Sequence, residues 1–479
     1  MKRFIHILIL VIVVIYSRYS YAQEHTVLML DELPQSNYFN PALAPKSSGY
    51  IIAPGISGIS LGFENTGFCF DDAFQKDKND TLYFNLNKLS DKISDYNLTT
   101  ANIEIPIFGV GFTVKKNFFT ISATNKTRAD IVVPASILDI RYGNYNYKTE
   151  KPVNHSLSDL YTRAFNYFEY AVGFNRAITD RIRLGVKAKL LMGNFALYSN
   201  KLDVKIETIQ DDHKFIMDVY TNGEIYTSAP LNVTHDEEGY VDEVEWDSDI
   251  MSISSSKNTG VAFDLGVTYN LTDKVTIGAS VLDLGFISWK ETPNTFVSNN
   301  NFTFSGVNIN GSVKDDPETK VTDTYWDQLK DSLTRFADLR HKTKTFKTPL
   351  SANALIHLSY KPFKWLQAGG VVSGVIVDKR LYARVSCNLT LRAKNWLAYI
   401  ASLSIDPGYA TSIGHGLALT APGFQFFVIA ERLPLSTLTS RSAQLRFGFN
   451  FPIGRDKTKF NTDMNEKTTN TEENTIPEI

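Results

Sequence analysis

Strict two-residue alternation over ten or more positions is the feature that most constrains this chain. In RIRLGVKAKLLMG, residues 181–193, Ile182, Leu184, Val186, Ala188 and Leu190 form one set, and Arg183, Gly185, Lys187 and Lys189 form the other. A period of two is that of a strand, here with one apolar and one cationic face. The pattern recurs. Residues 380–392 set Leu381, Val385, Leu389 and Leu391 against Arg384, Asn388 and Arg392. Residues 443–451 set Leu445, Phe447 and Phe449 against Arg446 and Asn450, and residues 260–269 set Val261, Phe263 and Leu265 against Asp264. Most globular strands have about 5–6 residues, whereas a tilted strand crossing a bilayer needs about 9–11.

About fourteen such strands can be placed between residues 50 and 453. One set of connections is uniformly tight, near 115–116, 179–180, 271–273, 361–364, 393–395 and 421–423. The other set contains every long segment: 65–100, 130–165, 200–258 and 289–348. An even strand count with tight turns at one end and long loops at the other is the organisation of outer-membrane barrels. The fold class expected is therefore all-β, a transmembrane antiparallel barrel. The apolar sets would face lipid, and Arg183, Lys187, Lys189, Asp264, Arg384, Arg392 and Arg446 would point into the lumen. A soluble exported β-protein with the faces reversed is the alternative, because periodicity alone does not separate inside from outside. Two hairpins, 172–193 and 265–285, share one pattern with Thr-Asp turns at Thr179-Asp180 and Thr272-Asp273.

The ends of the chain agree with export. MKRFIHILILVIVVIYSRYSYAQ carries Lys2 and Arg3, an apolar run from Phe4 to Tyr16, and a small-x-small site at Ser20-Tyr21-Ala22. That is the pattern of a signal peptide over 1–22, and no later run is long enough for a helical span. Residues 23–49 read as an irregular segment and 454–479 as a polar tail that cannot bury enough to fold alone. With 12% aromatic residues and a net charge of −2, composition favours strands and membrane interfaces and supplies no attraction for nucleic acid. Cys69 and Cys387 have no metal or redox spacing.

Three places break the alternation. Asp283 has the parity of Val275, Ile277 and Val281, so it lies beyond the bilayer or follows a bulge. His415 shares parity with Leu417 and Leu419. Around Pro106 the apolar parity switches from Ile103 and Ile105 to Val110 and Phe112, which suggests a kink. No nucleophile elbow, phosphate loop, zinc motif or dinucleotide fingerprint is present, so an enzyme is not expected, and neither is a cofactor or metal. Acidic stretches at 71–80 and 234–249 read as solvated loops. Residues 323–342 read as an amphipathic helix with Tyr325, Leu329, Leu333 and Phe336 on one stripe. His357 is expected as a hydrogen-bonded lumen histidine.

Several segments resemble a known family. SNYFNPALAP, residues 36–45, with Asn40-Pro41-Ala42, resembles the segment that opens FadL-type outer-membrane proteins. The hairpin at 169–193 is similar to one shared by FadL-like and PorV-type barrels. SVLDLGFISW and HGLALTAPGFQFFVIAERL are closer to a Bacteroidetes group of such barrels without an assigned function. The resemblance implies a bacterial outer-membrane barrel of fourteen strands, with residues 23–49 as a hatch turning at Asn40, Pro41 and Ala42. It implies passive uptake of small hydrophobic or amphipathic molecules, with a lateral wall opening to which Pro106 would correspond. A PorV-like role implies instead a scaffold that binds surface or secretion proteins through its outer loops. The transport reading predicts an apolar pocket and a wall gap; the scaffold reading predicts a filled lumen.

Overall fold

The computed structural model describes residues 25–454, apart from 77, 79–80, 91, 94–95, 140–144, 147–148, 150, 212–213, 248–256, 305–338, 378–379, 395, 406–411 and 434–441. The signal-peptide segment, the polar tail beyond Gly454 and most of the helix expected over 323–342 lie outside the described residues. The last residues of that stretch, Arg340–Lys342, form a strand instead.

Fourteen long strands make a closed antiparallel barrel. They are β1 Gly49–Asn65, β2 Asn97–Val114, β3 Asn117–Val133, β4 Tyr161–Ala177, β5 Ile182–Asp211, β6 Thr259–Thr272 and β7 Val275–Trp289. They continue as β8 Asn353–Phe363, β9 Leu366–Val377, β10 Arg380–Ala393, β11 Leu397–Ile405, β12 Ser412–Ala421, β13 Phe424–Leu433 and β14 Ser442–Ile453. Each strand pairs with its neighbour in sequence, and β14 closes the ring on β1 through register pairs such as Leu61 with Leu445. Full closure removes every free edge from the wall.

The turns explain why one end is short. Thr179 Oγ1 accepts the amides of Arg181 and Ile182, and Thr272 Oγ1 accepts those of Lys274 and Val275, so both Thr-Asp hairpins close through the same side-chain device. Lys115 and Lys394 take positive φ in two of the other tight turns and Gly423 in a third, a conformation that short hairpin loops favour. At the opposite end, the segments read as long loops carry further strands. β5 runs on to Asp211 and pairs with Lys214–Ser228, which pairs with Pro293–Phe304, so an ordered sheet continues beyond the barrel wall.

Alternation sorts the side chains as a barrel demands. Leu184, Val186, Leu190, Val261, Phe263 and Leu265 are exposed on the outside, while Lys187, Lys189, Asp264, Arg384 and Arg446 are buried inside. His415 is exposed and shares a 2.7 Å hydrogen bond with the Tyr399 hydroxyl, which satisfies Nδ1 on the outer face. Asp283 departs from its parity because β7 bulges. Phe263 pairs with Leu284 but Leu265 pairs with Val281. Asp283 takes φ +57° at that bulge and turns inward.

Candidate functional site

Residues 25–48 fold inside the barrel. A short helix, α1 His25–Leu28, is followed by a 3₁₀ turn at Pro34–Tyr38. The amides of His25 and Thr26 both donate to the Glu431 carboxylate, at 3.2 and 2.5 Å. Val27, Leu28, Met29, Leu30 and Leu33 pack against inward apolar residues of the wall, among them Leu355, Val371, Ile400, Phe427 and Ile429. Each such buried side chain contributes roughly 2 kcal/mol. The lumen is therefore apolar where this plug seats.

The Asn40-Pro41-Ala42 turn sits on two glycines that face each other across β5 and β6, Gly185 and Gly266. A Cβ on Gly185 would stand 2.3 Å from the Pro41 carbonyl carbon, and one on Gly266 would stand 2.2 Å from Asn40 Oδ1. Only glycine admits backbone this close. Asn40 Oδ1 accepts the Ala42 amide at 2.9 Å, and Asn175 Nδ2 donates to the Pro41 carbonyl at 3.0 Å.

The lumen cations are mostly paired. Lys189 lies 2.8 Å from Asp264 and 2.6 Å from Asp283. Arg384 pairs with Glu64 at 3.2 Å. Arg392 pairs with Asp31 at 2.9 Å and with Glu32, both on the plug. Lys187 donates to the Asn37 carbonyl at 2.9 Å and lies over the Tyr38 ring. Arg183 donates to Asn175 Oδ1 at 2.8 Å and has no carboxylate partner among the described residues. Burial alone would raise the Asp31 carboxyl, but Lys46, Lys361 and Arg392 around it hold it well below the usual carboxylate range.

Arg446 occupies the most informative position. Its Nη2 donates to Glu104 Oε2 at 2.6 Å and its Nη1 to the Gly58 carbonyl at 3.2 Å, so it reaches from β14 across β1 to β2. Beside it the wall is incomplete. β1 pairs with β2 at Ile52–Gly109 and again at Ser60–Glu104, and no pairing joins 53–59 to 105–108. Pro106 lies in this window, next to a bulge at Ile107 against β3. On the other side, nine residues of β1 from Ile52 to Ser60 span only five of β14, from Asn450 to Arg446. The excess chain contains Pro54 and two positive-φ residues, Gly55 and Gly58. Ser57 Oγ ties it down by accepting the Ala53 amide and donating to the Phe449 carbonyl.

A cavity of about 150 Å³ adjoins this window, lined by Tyr38, Glu104, Lys126, Glu169, Lys189 and Arg446 among others. It is charged, which corrects the expectation of an apolar pocket. The plug covers one apolar part of the wall, and ion pairs line the space beside it. A second space of about 500 Å³ lies around Lys46, Arg183 and His357 and shares no lining residue with the first. His357 faces inward, but its Nδ1 has no hydrogen bond, contrary to the expectation of a satisfied histidine.

Sequence reasoning singled out Pro106 and the cations but took residues 50–64 as one unbroken strand. The Ala53-Pro54-Gly55 run was the available warning, since proline inside a strand marks an edge or a bulge. Glu104, Lys126, Glu169 and Glu431 carried no recognisable motif. Up to Trp246, the acidic stretch that begins at Thr234 lies in a hairpin, Leu231–His235 with Val241–Trp246.

Similar architectures exist among solved structures. A deltaS2S3 mutant of the TodX monoaromatic hydrocarbon channel is 8% identical, over 91% of this chain and 96% of that one, with a TM-score of 0.41. The Pseudomonas putida toluene transporter TodX is 8% identical over 91% and 95%, with a TM-score of 0.38. A Pseudomonas aeruginosa FadL homologue is 9% identical over 91% and 100%, with a TM-score of 0.39. No curated protein matches the chain. A family model does match, over residues 41–431, from the plug turn at Pro41 to the plug-binding Glu431, and the chain belongs to that family, described as a family of unknown function (DUF5723).

Proposed function

We propose that this chain is a bacterial outer-membrane barrel that lets small amphipathic molecules pass between its lumen and the surrounding lipid through the window between β1 and β2. The membrane reading is supported by the exposed apolar outer face and by aromatic residues at the tight-turn end. There Phe363 and Trp365 stack at 5.6 Å and are both exposed; girdles of this kind mark the interface of membrane barrels. Among the described residues no helix is long and apolar enough to cross a membrane, and the strands would do the crossing.

The single observation that carries the transport reading is the unpaired window next to the Arg446–Glu104 pair. Exposed Ile56, Ile107 and Phe108 flank it on the outside, and the charged cavity lies within. A molecule with a polar head and an apolar body fits that gradient better than a hydrocarbon. The head would sit among the ion pairs while the apolar part leaves sideways into lipid.

Deleting Pro54–Ser57 removes the four residues by which β1 exceeds β14, lets those two strands pair continuously, and brings β1 within one residue of the matching span of β2, where Ile107 already bulges. In proteoliposomes, the deletion should abolish barrel-dependent transfer of a fluorescent short-chain acyl probe while preserving the heat-modifiable mobility of the folded barrel. Unchanged transfer by a folded deletion variant would overturn the lateral route. A scaffold reading rests on the plug that fills the lumen and on the outer sheet built by 214–228 and 293–304. It requires that a partner protein co-purify with the barrel and be lost when that sheet is trimmed.

A further inference from the structure

The second cavity lies at the tight-turn end, and its walls are assembled from unlike parts. Four cationic side chains line it: Lys46 from the plug, Lys115 in the β2–β3 turn, Arg183 on β5 and Lys361 on β8. One carboxylate, Asp31, lies among its lining residues, 2.6 Å from Lys361 and 3.4 Å from Lys46, and Lys46 also pairs with Glu32 at 2.9 Å. Arg183 remains without an acidic partner among the described residues. Lys46 and Lys361 are thus paired, and the excess of positive charge in the space comes from Lys115 and Arg183.

Its inner wall carries polar groups that are buried and unsatisfied. His357 is 4% exposed, Ser359 8% and Gln367 3%, and all three line the cavity, the first two from β8 and Gln367 from β9. His357 Nδ1, Ser359 Oγ and Gln367 Oε1 have no hydrogen-bond partner. Gln367 Nε2 donates to the Met29 carbonyl at 3.3 Å, which fixes Oε1 as the free atom. Leaving a buried polar atom unpaired costs about 1–3 kcal/mol, and three together in one wall of a cavity mark a surface built to be completed by something else.

The chemistry of the wall specifies the occupant. The cations ask for an anion. Gln367 Oε1 can only accept, and Ser359 Oγ and His357 Nδ1 can accept as well, so the same occupant must present hydroxyl donors. At about 500 Å³ the space is of the size that small-molecule sites usually have. We propose that this vestibule is a binding site for a small hydroxylated phosphate, a polyol or sugar phosphate. Its phosphate would lie toward Arg183, Lys46 and Lys361, and its hydroxyls against His357, Ser359 and Gln367. The proposal is independent of the lateral route, because the two cavities share no residue.

The test uses the full-length barrel in detergent micelles with glycerol 3-phosphate as probe, followed by calorimetry and by phosphorus NMR line broadening. Saturable binding is expected, with Kd on the order of 1 mM or tighter. Inorganic phosphate and glycerol, added separately, should each bind at least about tenfold more weakly. Gln367→Leu removes the acceptor and Arg183→Gln the unpaired cation, and each should weaken binding about tenfold. If Arg183→Gln fails to give a heat-modifiable barrel, Ser359→Ala, which removes only a hydroxyl, replaces it. Absence of saturable binding to the wild type overturns the site. Wild-type affinity in folded Gln367→Leu overturns the hydroxyl-reading wall. Equal affinity for inorganic phosphate reduces the vestibule to an anion trap and overturns the assignment of a hydroxylated ligand.

Discussion

Pro41 and Gly185 stand so close that the Pro41 carbonyl carbon lies 2.3 Å from where a Gly185 Cβ would be. The plug and the wall are thus fitted backbone to backbone. Replacing Gly185 with alanine must lift the Asn40-Pro41-Ala42 turn or bend β5. A loss of about 1–3 kcal/mol is expected, as for other overpacked sites. The measurement is the urea midpoint of refolded barrel, together with protease cleavage within 31–48. Unchanged midpoint and unchanged protection would show that the turn does not seat there.

Arg446 ties β14 to β2 across the irregular part of β1. Arg446→Ala leaves Glu104 without its close cation and the Gly58 carbonyl without its donor. The cost should be on the order of 3 kcal/mol, the lower range for breaking a buried pair. Because the window lies beside it, hydrogen exchange should rise first at 53–60 and 104–108. A uniform rise around the whole barrel would show that Arg446 acts on global stability and not on the window.

Asp31 supplies the pH dependence of the plug. Its carboxyl is held well below the usual range by Lys46, Lys361 and Arg392. A depressed carboxylate stabilises the fold fully above its unfolded value, about 4, and that contribution is lost as pH falls through the lower folded value. The stability difference between wild type and Asp31→Asn should be constant from neutral pH to about pH 5 and shrink only below about pH 4. A difference that grows on acidification would contradict the clamp.

Cys387 is a native probe of what surrounds the barrel. It is exposed on the outer face of β10, between register partners Gly370 and Leu403. In liposomes it should react with a lipid-soluble maleimide and resist a membrane-impermeant one; unfolding in urea should make it reactive to both. Fast labelling of the folded protein by the impermeant reagent would remove the membrane reading.

Several elements were legible before any coordinates. A two-residue period over ten or more positions admits only long strands, and tight turns alternating with long connections order them into an up-and-down barrel. Arg183, Lys187, Lys189 and Arg446 were legible as one-sided for the same reason. Asp283 was legible as a break in the parity, with a bulge as one of two explanations, but only the pairing of β6 with β7 shows that the bulge is there. The Pro54–Ser57 excess was invisible as a window, because only the partner strands β2 and β14 reveal that β1 has more residues than its neighbours can pair.

The sequence by itself determined the strands, their number and which side chains share a face, since these follow from local periodicity and turn chemistry. Only the tertiary structure decided what the interior holds. Whether Lys189 meets Asp264 and Asp283, whether Arg183 is left without an acid, and whether Gly185 and Gly266 receive Pro41 depend on contacts between residues tens to hundreds of positions apart. Barrel closure and the folded-in plug create those contacts, and no local pattern encodes them.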